Sequence, residues 1–160
     1  MRSEPTPHPA FTAMLQTFIG SLGSHAAAPS DSAGFEFESD GHVVRCFPNP
    51  ADAERYVIEC DVAPLDDAQR SNSALLTLIH QINESTWLDT GWLSLIDADG
   101  LWLIARSKRL DATRAEDLSI EICDALEHAA ALRQVLNAQS LADLNNSATR
   151  PSGPFPGHFA

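Results

Sequence analysis

Apolar positions along the chain follow two rhythms, steps of three and four and steps of two, and the changes between them mark out the elements. Phe11, Met14, Leu15, Phe18 and Ile19 step by three and four, which predicts a helix over residues 9–19 with one apolar face. Pro9 suits its start, where a missing amide hydrogen costs nothing. Asp40-Gly41 then predicts a two-residue hairpin turn, because both residues tolerate the left-handed backbone such a turn needs. With that pair as the turn, Phe37 faces Val44, Phe35 faces Cys46, and Glu36 faces Arg45 as an opposite-charge pair. Tyr56, Ile58, Cys60 and Val62 alternate with Val57, Glu59 and Asp61, predicting a half-solvated strand over residues 56–62. Leu75, Leu78, Ile79 and Ile82 predict a second helix over residues 71–85.

A second hairpin is expected over residues 91–110, turning through Ala98, Asp99 and Gly100. Its register sets Leu95 against Leu103 and Leu93 against Ala105 on one face, with Trp92, Ile96, Trp102 and Ile104 on the other. Both faces are apolar, so a helix of the chain, a second subunit or a bound client must cover the second. Thr113 and Glu116 have the spacing of a capping box. Beyond them Leu118, Ile122, Ala125, Ala129, Leu132 and Leu136 predict a long final helix. The order is α-β-β-β-α-β-β-α, an α+β fold in which a twisted antiparallel sheet is flanked by helices. One domain over residues 9–142 is expected between tails at 1–8 and 143–160, the latter rich in proline and glycine, with a Ser/Ala/Gly-rich link over 20–34.

Composition narrows the function. The 160 residues carry a formal charge of -12 and are 44% hydrophobic, enough for an ordinary core without staples. Such an acidic surface repels phosphate backbones and anionic membranes, so neither nucleic-acid binding nor membrane insertion is expected. Cys46, Cys60 and Cys123 are odd in number and sit in apolar surroundings, which fits buried thiols in a reducing compartment. No apolar leader or membrane-length stretch stands out, and a cytoplasmic protein is expected.

Chemistry is sparse. His8, His25, His42, His80, His128 and His158 are scattered, with no i, i+4 pair to hold a metal. Asp97 and Asp99 resemble the start of a calcium loop, but its twelfth position is Lys108 where a carboxylate is required. Asp66-Asp67 reads as a helix cap. No nucleophile elbow, phosphate loop or paired-cysteine motif occurs, so no catalytic residue, metal or cofactor is expected.

Ser73 to Asn83, the Trp87 to Gly91 turn, the hairpin that follows and the long last helix resemble the class I type III secretion chaperones of the Tir/CesT type. The long linker and proline-rich end resemble the broad-specificity export-control chaperones of plant pathogens, the HpaB type. The resemblance spans about residues 9 to 142 and implies a bacterial homodimer. Such a protein binds the N-terminal segments of secreted effectors in extended form, with the secretion ATPase as a further candidate partner. On it, Phe11, Leu15, Phe18, Phe35 and Phe37 are expected to line effector-binding pockets. Leu75, Ile79, Trp92, Ile96, Trp102 and Ile104 are expected at the dimer interface. A client strand added to an open sheet edge fits this reading, since main-chain bonds form whatever the client sequence. The competing reading is a small-molecule-binding or catalytic α+β domain with Trp87, Trp92 and His80 near a cleft.

Overall fold

Two turns set the frame, and both follow from local sequence. In the computed structural model, which describes residues 8–22 and 34–148 (without the side chains of 22, 86–89 and 139–148), Asp40 and Gly41 take positive φ of 52° and 74°. This backbone twists with the strands it joins, β1 (Phe35–Ser39) and β2 (His42–Pro48). Phe37 meets Val44, Phe35 meets Cys46 and Glu36 meets Arg45, the expected register. Gly100, at φ 85°, closes the second hairpin between β4 (Leu93–Ile96) and β5 (Leu101–Arg109). There too Leu95 meets Leu103 and Leu93 meets Ala105. Asp97 ties this turn together, its carboxylate accepting the amides of Asp99 and Leu101.

β3 (Arg55–Pro64) outruns the expected 56–62 and bulges between Asp61 and Ala63. It joins the hairpins into an antiparallel sheet of order β1-β2-β3-β5-β4. Four α-helices complete the described chain: α1 (Pro9–Leu22), α2 (Asp67–Arg70), α3 (Ser73–Thr90) and α4 (Ala115–Ala148). α1 runs through Gly20 into the stretch expected as linker. α2 is one turn, opened by a reciprocal cap between Asp66 and Gln69. α4 continues past residue 142, where the sequence reading ended the domain; no proline or glycine interrupts it before Pro151. The expected Thr113 and Glu116 capping box does not form. A 3-10 turn at Leu110–Ala112 draws the Thr113 hydroxyl back to the Arg109 carbonyl, and the Arg114 amide bonds Asp117 instead. Residues 1–7, 23–33 and 149–160, which hold most of the expected tails and linker, lie outside the described residues.

The core lies on one side of the sheet. Val44, Cys46, Tyr56, Ile58, Cys60, Trp102 and Ile104 face Leu118, Ile122, Ala125 and Ala129 of α4 and Phe11, Leu15 and Phe18 of α1. Ala125 and Ala129 are fully buried, and their small side chains let α4 lie close against the sheet. Each large apolar side chain so removed from water contributes about 1.5–3 kcal/mol.

Candidate functional site

The sheet has one covered face and one open face, and the assignment reverses the expectation. Trp92, Trp102 and Ile104 lie under the chain's own helices, at most 2% exposed, and Leu75 and Ile79 of α3 are buried beside them. Of the six residues expected at a dimer interface, Ile96 alone stays half-buried. A side chain already out of water has no burial left to gain from a partner. The opposite face carries Leu93, 38% exposed, with Leu95, Leu103 and Ala105 in its register and Val57 and Phe47 farther along. Leu103 is buried yet stands outside the main core cluster, which marks this face as a separate apolar surface.

The five residues expected to line effector pockets do come together, but as a packed seam. Phe18 meets Phe35 edge-on at 5.4 Å, and Phe35 meets Phe37 at 5.3 Å. Phe11 lies 6.2 Å from Tyr56. Phe11, Leu15, Phe18 and Phe35 are buried, and Phe37 keeps partial exposure. These side chains clasp α1 to β1, and of the five only Leu15, at 7%, and Phe37 keep more than 2% of their surface exposed.

The two sheet edges differ. At β4 the Asn83 side chain of α3 imitates a strand: its Nδ2 donates to the Ser94 carbonyl at 2.8 Å, and its Oδ1 accepts the Ser94 amide at 2.7 Å. The outer edge of β1 pairs with no described strand. A two-residue turn is closed by a hydrogen-bonded pair at its flanks, here Ser39 with His42, and pairing alternates from there. The amides and carbonyls of Glu36 and Glu38 therefore point outward, where no described strand pairs with them and an added strand can.

Charge is concentrated around this edge and face. Arg45 reaches Asp61 through two bonds, 2.6 and 3.1 Å, and Glu36 at 2.9 Å. Hydrogen bonding to Asp61 leads the effects that hold the guanidinium above its usual range. Burial likewise pushes the Glu59 carboxyl up. At the far end of the sheet Glu121 receives both Arg106 and Lys108 at 2.8 Å. Asp124 accepts the indole N–H of Trp92, also at 2.8 Å. These pairs close the end of the core where the apolar side chains of β5 give way to cations.

A cleft of about 410 Å³ opens between the β1–β2 turn and α4, lined in part by Asp40, His42, Glu127, Arg133, Gln134 and Asn137. Arg133 spans it, donating to the carbonyls of Val62 at 2.6 Å and Gly41 at 2.9 Å. His42 is buried, its Nδ1 2.6 Å from the Asp61 carbonyl. Sequence reading passed over both: Arg133 because its partners are far away in the chain, His42 because it counted as one of six scattered histidines. The alternation of β2 was the available signal, since it places His42 on the inward face with Val44 and Cys46. His80 is exposed on α3 beside Glu84, and Trp92 is buried against Asp124, so these two do not meet in a cleft. The Trp87 side chain lies outside the described residues. Among the described residues no three His, Cys, Asp or Glu side chains are grouped to hold a metal, and no helix is long and apolar enough to cross a membrane.

No family model matches the sequence, and no curated protein does either. Solved structures do match. A chain of the HopA1-SchA chaperone-effector complex superposes with a TM-score of 0.64 at 17% identity, over 78% of this chain and 94% of that one. A chain of the ExsC-ExsE complex gives 0.65 at 17% identity, over 78% and 91%. The third is the structure of the Yersinia pestis type III secretion chaperone SycH with a fragment of YscM2, which gives 0.58 at 19% identity over 76% and 98%. The α+β sheet with its flanking helices is thus the fold of type III secretion chaperones.

Proposed function

We propose that the chain is a class I type III secretion chaperone, a bacterial cytoplasmic protein without catalytic activity. It binds the N-terminal segment of a secreted effector in extended form and keeps it competent for export. The observation that carries this reading is the outer edge of β1, which no described strand pairs, on a fold shared with a chain of a chaperone-effector complex. An extended client added there recruits the outward amides and carbonyls of Glu36 and Glu38, bonds that do not depend on client side chains. That independence supports service to many effectors, the broad-specificity role of the HpaB type. The partly exposed Phe37 gives such a strand an apolar contact beside the edge.

The protein acts as a homodimer in this proposal, joined through the open sheet face around Leu93, Leu95 and Ala105. An apolar face left by one subunit is what an obligate interface consumes. The secretion ATPase remains a further partner of the same proposal. The test is co-expression with an effector carrying or lacking its N-terminal segment, followed by light scattering. Two chaperone copies bound to one effector, lost when the segment is removed, support the reading. A monomer that ignores the segment contradicts it.

A further inference from the structure

We infer that the cleft between the β1–β2 turn and α4 receives a basic side chain, arginine or lysine, projecting from the bound polypeptide. This rests on the reading of β1 as a docking edge and adds a chemical preference to it. His42 is the first indication. It is only 4% exposed and lines the cleft. The Asp61 carbonyl 2.6 Å from Nδ1 can only accept, so Nδ1 carries the hydrogen. In the neutral ring Nε2 then presents a lone pair, and among the described residues nothing donates to it. Among the described residues no fully buried side-chain nitrogen or oxygen lacks a partner, so Nε2 keeps some exposed surface on a residue that lines the cleft. An acceptor held at the cleft wall in this way can take a hydrogen bond from a donor that enters the cleft.

The rim supplies the complementary charge. Asp40 and Glu127 are exposed at the cleft, and neither is ion-paired with another described residue. Arg133 is the opposing charge, but its Nε and Nη2 are directed at the carbonyls of Val62 and Gly41. Two carboxylates against one guanidinium leave the cleft net negative, on a chain of formal charge -12. A cation that donates several hydrogen bonds matches lone pair and carboxylates together.

Position ties the cleft to a polypeptide. β1 ends at Ser39, and Asp40 is both the next residue and part of the cleft wall. A strand added to β1 therefore runs to the cleft mouth. Glu36, Glu38 and Asp40 recur at every second position along that path. Opposite charges across a strand pair contribute about 0.2–1 kcal/mol each.

The test uses an effector-like synthetic peptide of alternating apolar and threonine residues with one arginine, and its twin in which citrulline, a neutral isostere, replaces that arginine. The arginine peptide should bind about tenfold more tightly, as loss of a charge-assisted bond implies. The Asp40→Asn, Glu127→Gln double variant should erase the difference; both changes are at exposed positions, and asparagine tolerates the positive φ of residue 40. The His42 Nε2 nitrogen-15 resonance should shift with the arginine peptide alone. Equal binding of both peptides, with His42 unmoved, overturns the inference and leaves edge docking standing. If neither peptide binds, edge docking fails, and agmatine decides the cleft: a shifted His42 resonance at millimolar agmatine supports it, and an unshifted one overturns it.

Discussion

The side-chain amide of Asn83 pairs with the main chain of Ser94 in both directions, donating at 2.8 Å and accepting at 2.7 Å, and so closes one edge of the sheet. Asn83→Ala leaves the Ser94 amide and carbonyl without these partners, a loss of about 1–3 kcal/mol. At this chain length the melting temperature should fall by about 2–4 °C for each of those kcal/mol. Thermal unfolding followed by circular dichroism checks this. An unchanged melting temperature would mean that water replaces Asn83 without loss.

Arg45 separates two acidic partners by burial. The Asp61 side chain is 12% exposed and that of Glu36 is 58% exposed. Asp61→Asn should cost about 2 kcal/mol, because it leaves a half-buried guanidinium poorly compensated. Glu36→Gln should cost no more than about 0.5 kcal/mol and lose even that in high salt. Urea unfolding at low and high ionic strength reads both values. Equal costs would place the two carboxylates in the same environment, against the geometry.

The cysteines should divide two to one. Burial pushes the thiols of Cys46 and Cys60 up to about 12, while Cys123 is exposed on α4. At pH 8 a thiol of that value is thiolate in only about one molecule in ten thousand. A chromogenic disulfide reagent should titrate one thiol in the folded protein and all three in guanidinium chloride. Two or more reacting at once in the folded state would contradict the buried placement.

Stability should also respond to Glu59. Its carboxyl is raised from the ordinary 4.5, first by burial. An acid raised on folding favours its protonated form in the native state, so it weakens the fold when ionised. The cost is absent below about 4.5, grows as pH rises toward the raised value and persists above it. Glu59→Gln should therefore increase the urea midpoint at pH 7 and change it little at pH 4. A lower midpoint at pH 7 would show that the Glu59 charge is used by the fold.

Local rules carried much of the fold. Asp40-Gly41 and Gly100 fixed both hairpin registers, since turn length alone sets which residues face each other. Periodicity groups side chains onto a face but does not say which face a helix will cover. That is why Trp92 and Trp102 were expected at an interface, while Leu93 holds the open side. The covered face depends on how α4 docks, and its two buried alanines look unremarkable in sequence. The phenylalanines expected at effector pockets pack against one another as a seam, and apolar spacing reads the same in a filled seam and an empty groove. Asn83 only ended the helix stretch on which the resemblance rests, since its partner is main chain and leaves no side-chain signal. Arg133 left no local trace, because Gly41 and Val62 reach it only through the tertiary fold.

Amide hydrogen exchange at β1, measured with and without an effector N-terminal segment, bears most directly on how the chain works. The Glu36 and Glu38 amides should exchange fast in the free protein and become strongly protected in the complex. A stable complex in which both amides exchange as fast as before would contradict docking at this edge.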